Sequence, residues 1–163
     1  MKKNIKGFTL IELLVVISII GILVALFTVS FVSAQKQARD TQRKSDLSQY
    51  RNALESYANK NNGLYFPSAA STITSGLCSA LVSSGFLTNT SDCPEDPKYA
   101  NDNSYLQYHY QSNALATEYI LWAKLESATN TYWIVCSTGQ SGKLVSSETP
   151  SFDDAACPAG LTQ

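Results

Sequence analysis

An apolar run opens the chain after a short basic leader. Residues Phe8 to Ala34 are predominantly apolar, and Glu12 is the single charged residue among them. As a helix this run would measure roughly 40 Å at 1.5 Å per residue, which exceeds a hydrocarbon core of about 30 Å. The pattern therefore predicts a transmembrane helix over 8–34, behind a leader at 1–7.

A polar segment of helical period follows. Between 35 and 61 the chain contains no Pro or Gly, so we expect the helix to continue until Gly63 and Pro67 end it. One face of this continuation carries apolar residues at three- and four-residue spacing: Leu47, Tyr50, Leu54 and Tyr57. The stripe predicts an amphipathic helix over 35–61 that packs on a globular head at 62–163.

Charged residues on this segment stand four positions apart. The pairs are Lys36 with Asp40, Asp40 with Lys44, and Arg51 with Glu55. Such pairs stabilise a helix by about 0.2–0.5 kcal/mol each. We expect them to be solvated pairs on the helix surface.

The remainder of the chain alternates turn-forming residues with aromatic and β-branched segments. A short helix is predicted over Leu77–Val82, ending at Gly85. Strands are predicted at 105–111, 118–126 and 131–136. These elements predict an α+β fold, in which a long N-terminal helix packs on a small antiparallel sheet.

The first of these strands has two distinguishable faces. Alternation places Leu106, Tyr108 and Tyr110 on a core face, and Tyr105, Gln107 and His109 on a polar face. No cysteine-protease motif accompanies His109. We therefore predict no catalytic residue and no enzymatic activity.

Composition limits the class of protein further. The 163 residues, 44% of them hydrophobic, indicate one globular head rather than two large domains. Twelve Lys and Arg against 13 Asp and Glu give a net charge of −1. Because nucleic-acid-binding proteins usually carry a basic patch or stripe, this balance argues against a direct nucleic-acid ligand.

Four cysteines follow the apolar run, and they lack the Cys-x-x-Cys spacing of a zinc site. An even number suits disulfides in an oxidising compartment, so we expect a cytoplasmic N-terminus and an extracytoplasmic head. Three pairings are available, and we favour the sequential one, Cys78 with Cys93 and Cys136 with Cys157.

The segment around Glu12 resembles a known processing site. Lys6-Gly7-Phe8-Thr9-Leu10-Ile11-Glu12 and the following Leu-Leu-Val-Val-Ile are similar to the N-terminal motif of type IV pilins and pseudopilins. The resemblance implies that a prepilin peptidase cuts between Gly7 and Phe8 and methylates the new amine of Phe8. It also implies that Glu12 pairs with the N-terminal amine of a neighbouring subunit.

Two further resemblances point to different branches of the family, one to pseudopilins and one to pilins. Gly85-Phe86-Leu87 followed by Pro94-Glu95-Asp96-Pro97 resembles major pseudopilins, whose corresponding loop binds calcium, which makes Asp96 and Asp102 weak calcium candidates. An Asn- and Asp-rich turn is the simpler interpretation, with no cofactor. A loop closed by Cys136 and Cys157 would resemble the C-terminal cysteine loop of pilins.

The resemblance implies that the protein is a structural subunit of a type IV pilus-like filament, processed by prepilin peptidase and assembled through its N-terminal helix over 8–34. Its partners would be copies of itself and other pilins, the prepilin peptidase, the inner-membrane assembly platform and, before assembly, the membrane. A pseudopilin of a type II secretion or competence system is the alternative within the family. Outside it, the run could be a long signal peptide cut after Ala34, which would release a secreted binding domain.

Overall fold

A single helix forms the N-terminal part of the molecule. The computed structural model describes residues 7–68, 72–89, 93–98 and 107–162, without the side chains of 26–30 and 72–75. Helix α1 runs from Leu10 to Lys60, 51 residues, or roughly 77 Å. At its end Asn62 has a positive φ of 57°, and the Gly63 N–H donates to the Ala58 carbonyl at 2.8 Å. The predicted continuous helix is confirmed.

The head is built on a five-stranded antiparallel sheet in sequential order. Its strands are β1 (Thr72–Ile73), β2 (His109–Ser112), β3 (Tyr119–Lys124), β4 (Thr131–Cys136) and β5 (Ser141–Val145). β2, β3 and β4 confirm three predicted strands, although β2 begins at His109 rather than at 105. The predicted strand positions Tyr105 and Leu106 lie outside the described residues. β1 and β5 were not predicted, since they lie in Ser-, Thr- and Gly-containing segments without a clear alternation.

The lower half of α1 packs on one face of this sheet. Leu47, Tyr50 and Leu54 are buried there, as the stripe predicted, and the fourth stripe residue, Tyr57, lies against Phe86 with ring centroids 5.6 Å apart. The sheet contributes Tyr108, Tyr110, Tyr119, Leu121, Ala123 and Val135 to this core. The predicted α+β arrangement of a long helix on a small antiparallel sheet is confirmed.

The opposite face of the sheet is also covered. Ile120, Trp122, Tyr132 and Ile134 form a second core beneath Phe152 and Leu161 of the C-terminal segment. His109 stacks on Trp122 at 5.1 Å, and burial lowers the pKa of His109. The predicted polar face around His109 is therefore wrong, because the C-terminal segment folds back over it.

Both predicted disulfides are present. Cys78, in helix α2 (Thr74–Ser83), is bonded to Cys93, and Cys136 of β4 is bonded to Cys157. The first attaches the 93–98 loop to α2, and the second attaches the C-terminal segment to the sheet. α2 extends beyond the predicted Leu77–Val82, and Gly85 follows it with a positive φ of 76°.

Candidate functional site

The chain ahead of α1 presents the residues that the sequence singled out for processing. Gly7 and Phe8 precede the helix, and the Phe8 side chain is 86% exposed. Thr9 is the N-cap residue of α1, with an extended backbone at φ −82° and ψ 150°. A Cβ added at Gly7 would meet no atom within 4 Å. The fold of the described chain therefore does not itself require glycine at this position.

Glu12 takes part in a capping box at the start of α1. Its Oε2 accepts hydrogen bonds from the Thr9 backbone N–H at 2.9 Å and from the Thr9 hydroxyl at 2.7 Å. The Glu12 N–H in turn donates to Thr9 Oγ1 at 3.3 Å. This local partnership was not predicted, although Thr-x-x-Glu ahead of an apolar run is its sequence signature. It holds the carboxylate at the positive end of the helix dipole, next to the Phe8–Thr9 peptide.

The upper half of α1, by which we mean its N-terminal half, exposes apolar side chains on every face. Consecutive residues Leu13, Leu14, Val15, Val16 and Ile17 are each about half exposed. The same holds for Ile19, Ile20, Ile22, Leu23, Val24, Phe31 and Val32. A helix that is apolar all round is normally buried in a protein interior or in lipid. Within the described residues, no helix combines the length and the mean hydropathy that a membrane span requires.

A buried cluster of charges joins α1 to the head where the apolar half ends. Arg43 is fully buried, and its Nε and Nη2 donate to Asp96 Oδ2 at 2.6 Å and Oδ1 at 2.9 Å. Its Nη1 also contacts Asp40 Oδ1 at 2.8 Å, and its Nη2 lies 2.7 Å from Glu126 Oε1. One guanidinium thus contacts three carboxylates, from α1, from the 93–98 loop and from the turn that follows β3.

Two further cations complete this group, which we call the charge cluster. Arg39 Nε and Nη2 donate to the two oxygens of Glu126, both at 2.8 Å, and Lys98 Nζ lies 3.1 Å from Glu126 Oε2. The charge cluster therefore contains three cations and three carboxylates: Arg39, Arg43, Lys98, Asp40, Asp96 and Glu126. The formal charges of these six groups therefore cancel.

Backbone donors add to the stabilisation of the carboxylates. Asp40 accepts from the backbone N–H of Glu126 and of Ser127, both at 2.8 Å. Burial alone would raise the pKa of Asp40, but bonds from Ser127, Glu126 and Arg43 hold it below its usual value. Hydrogen bonds from Arg39 chiefly, with Arg43 and Lys98, lower the pKa of Glu126 to about 2. Asp40 and Glu126 are thus arranged to be ionised.

The charge cluster corrects two sequence-based interpretations. The expected Lys36–Asp40 and Asp40–Lys44 surface pairs are replaced by a buried Asp40–Arg43 pair, and Lys44 lies over the Trp133 ring at 4.1 Å. The calcium candidate Asp96 is engaged by Arg43 on both oxygens, so its carboxylate serves the protein's own cation. The other calcium candidate, Asp102, lies outside the described residues. Across the part of the chain that the structure describes, no group of three or more His, Cys, Asp or Glu side chains is arranged to hold a metal ion.

Comparison with known proteins bears on the exposed end of α1. The sequence model of the prokaryotic N-terminal methylation motif matches residues 2–28. The chain is also 43% identical over 75 residues to the type IV wide pilus major component PilA4 of Thermus thermophilus. The chain therefore matches the methylation-motif model at its N-terminus and is similar to a type IV pilin over part of its length. The aligned stretch covers 46% of this chain and 56% of the relative, so it spans little more than half the length of the relative. No solved structure shows a significant match.

Proposed function

We propose that this chain is a type IV pilin and serves as a structural subunit of a type IV pilus-like filament. The observation that carries the proposal is the contrast within α1. Residues from Arg39 onward are fixed to the head by the charge cluster and the apolar stripe, whereas the upper half exposes apolar side chains all round. That surface needs an apolar environment. Packing against the same segment of neighbouring subunits would supply it, and lipid would supply it before assembly.

Processing at Gly7 and Phe8 would prepare the subunit. The methylation motif covers both residues, and their exposure ahead of the helix leaves this bond accessible to a prepilin peptidase at the inner face of the membrane. Cleavage would make Phe8 the N-terminal residue, and methylation would keep its amine positively charged. Glu12 would then stand one helical turn from that amine.

Glu12 would set the axial register of the filament. In an apolar core an unpaired carboxylate is strongly destabilising, whereas one paired with the Phe8 amine of a neighbour is neutralised. A subunit entering at a different offset would leave both charges unpaired. The capping box is compatible with this role, because Thr9 gives the Glu12 carboxylate hydrogen bonds but no cation, so its charge still requires a partner.

The position of the head follows from the same scheme. The N-terminus would lie in the cytoplasm and the head outside, where an oxidising compartment allows both disulfides to form. An inner-membrane assembly platform would then extract the subunit, and the filament would be periplasmic or extracellular. The PilA4 relative is a pilus component, which favours a pilus. The resemblance of the Pro94-Glu95-Asp96-Pro97 loop to that of pseudopilins supports the pseudopilin alternative.

Filament recovery tests the proposal. Cells carrying the native chain, Glu12→Ala or Glu12→Gln are compared by shearing and pelleting surface filaments, with head-specific antibody to follow the subunit. We expect filaments containing this chain from the native sequence only, and both variants processed but retained in the membrane fraction. Ser45→Ala, an exposed position on α1, is the control. Filaments of normal yield from Glu12→Ala would contradict the register role, and native filaments lacking this chain would contradict the proposed function.

A further inference from the structure

Large apolar side chains are rarely exposed on the head. In its described part, the exposed ones are Leu64 at 43%, Leu115 at 75% and Val145 at 74%. Leu115 lies in the turn that leads into β3 at Tyr119, and Val145 pairs with Thr131, next to the other end of β3 at Lys124. Six residues of strand separate these ends, or about 20 Å. The two most exposed apolar side chains of the head thus lie at opposite ends of the sheet.

The turn that carries Leu115 is held rigidly. The Asn113 side chain accepts from the N–H of Thr117 at 2.8 Å and from that of Glu118 at 3.2 Å. The Tyr65 N–H donates to the Ala116 carbonyl at 2.8 Å, which places Leu64 at the same end. Asp154 accepts from the Ala114 N–H at 2.9 Å. Because Leu115 projects from a fixed backbone, docking it would cost little conformational entropy.

The charges around Leu115 are mainly negative. Glu118, Asp153 and Asp154 are exposed there, with Lys60 at the nearby end of α1. We call Leu64, Leu115, Glu118, Asp153 and Asp154 the distal patch.

The charges around Val145 are mainly positive. Lys143 precedes it on the same face of β5 and pairs with Trp133 across the sheet, and Lys44 stands over the Trp133 ring at 4.1 Å. Glu148 follows three residues later and is exposed. We call Lys44, Trp133, Lys143 and Val145 the proximal patch. It lies beside α1 on the part of the sheet that the helix leaves open.

We propose that the distal patch of one subunit docks on the proximal patch of a second copy. Each patch has an apolar centre flanked by net charge of opposite sign, which is the complementarity that selects partner and register. A contact between two different surfaces of the same chain is heterologous, and such contacts generate open helical filaments when the rotation does not close. The inference rests on the proposed function and adds a head-to-head contact to the one made by α1.

Cross-linking tests this contact directly. Among the described residues no cysteine is free, so Leu115→Cys and Val145→Cys introduce thiols at two exposed positions. We expect filaments of the double variant to give a ladder of covalent oligomers on mild oxidation, and each single variant to give none. If filaments form from subunits whose N-terminal residue is Phe8 but yield no ladder, this inference is overturned and the proposed function stands. Absence of native filaments would overturn both.

Charge exchange provides an independent measurement. Glu118→Lys or Lys143→Glu alone should lower filament yield several-fold, and the double variant should recover most of it. Lys124→Glu is the matched control, because Lys124 pairs with Tyr132 and therefore lies on the opposite face of the sheet. Equal losses in the double variant and in the singles would contradict the pairing of these patches.

Discussion

Arg43 and Asp96 form a two-bond ion pair, with N···O distances of 2.6 and 2.9 Å, although 53 residues separate them in sequence. Neither side chain is more than 1% exposed. The pair attaches α1 to a loop that the Cys78–Cys93 disulfide already anchors to α2. The head is therefore held on the helix by charge as well as by apolar packing, next to the point where the exposed apolar part of α1 ends.

Removing the central cation should destabilise the head. Arg43→Met fills similar space but leaves Asp40 and Asp96 buried without their cation, so we expect a loss of about 3–5 kcal/mol in the free energy of unfolding. Urea denaturation of the full chain in detergent measures it. Lys36→Met, at an exposed position of the same helix, is the control and should change little. Equal stability of the two variants would show that the charge cluster contributes nothing.

Acid should weaken the charge cluster through Glu126. Its pKa of about 2 lies below its ordinary value of 4.5. The ionised form therefore stabilises the fold above pH 4.5, and this contribution is lost as the pH falls towards about 2. Asp46, whose pKa is raised by burial, acts in the opposite direction.

Comparison with Glu126→Gln isolates the Glu126 contribution, since Asp46 is common to both proteins. The native chain should exceed the variant in unfolding free energy at pH 6, and the difference should shrink between pH 4.5 and 2. A difference independent of pH would refute the assignment.

The C-terminal disulfide should protect the second core. Replacing both Cys136 and Cys157 by Ala removes a disulfide of sequence separation 21. In the chain-entropy model this lowers the free energy of unfolding by about 3 kcal/mol. Because this crosslink holds the segment over Trp122, the emission of Trp122 should shift to the red, measured in a Trp133→Phe background. Cys78→Ala with Cys93→Ala should lower stability without that shift. A shift of the same size in both variants would contradict the separate roles of the two bonds.

Glycine at position 7 should matter to the peptidase and not to the fold. An added Cβ meets nothing within 4 Å, so Gly7→Val should leave the unfolding free energy unchanged. We expect the uncut chain to accumulate in membranes, because a peptidase pocket shaped for glycine has no room for a branched side chain. Immunoblots of membrane fractions report the size difference, and normal cleavage of Gly7→Val would refute the cut site.

The sequence predicts the elements that depend on local pattern. The stripe from Leu47 to Leu54 and strand β4 follow from spacing alone, and the two disulfides match the pairing that we favoured among three. The charge cluster does not follow from spacing, because helical pairing considers neighbours four residues away, whereas Arg43 finds Asp96 and Glu126 in distant parts of the chain. Nor does alternation along β2 reveal that its second face is covered. The continuous apolar run of β3, buried from Tyr119 to Ala123, was the signal that both faces are packed.

The intact mass and N-terminal sequence of the mature chain from native cell envelopes test the central claim most directly. A chain that begins at Phe8 and carries the mass of one added methyl group is the result we predict. The same non-reduced sample should lack four hydrogens, one pair for each disulfide. A chain that begins at Gln35 would contradict the filament account and indicate a secreted domain cut after Ala34. A chain that retains Met1 would indicate a simple membrane anchor.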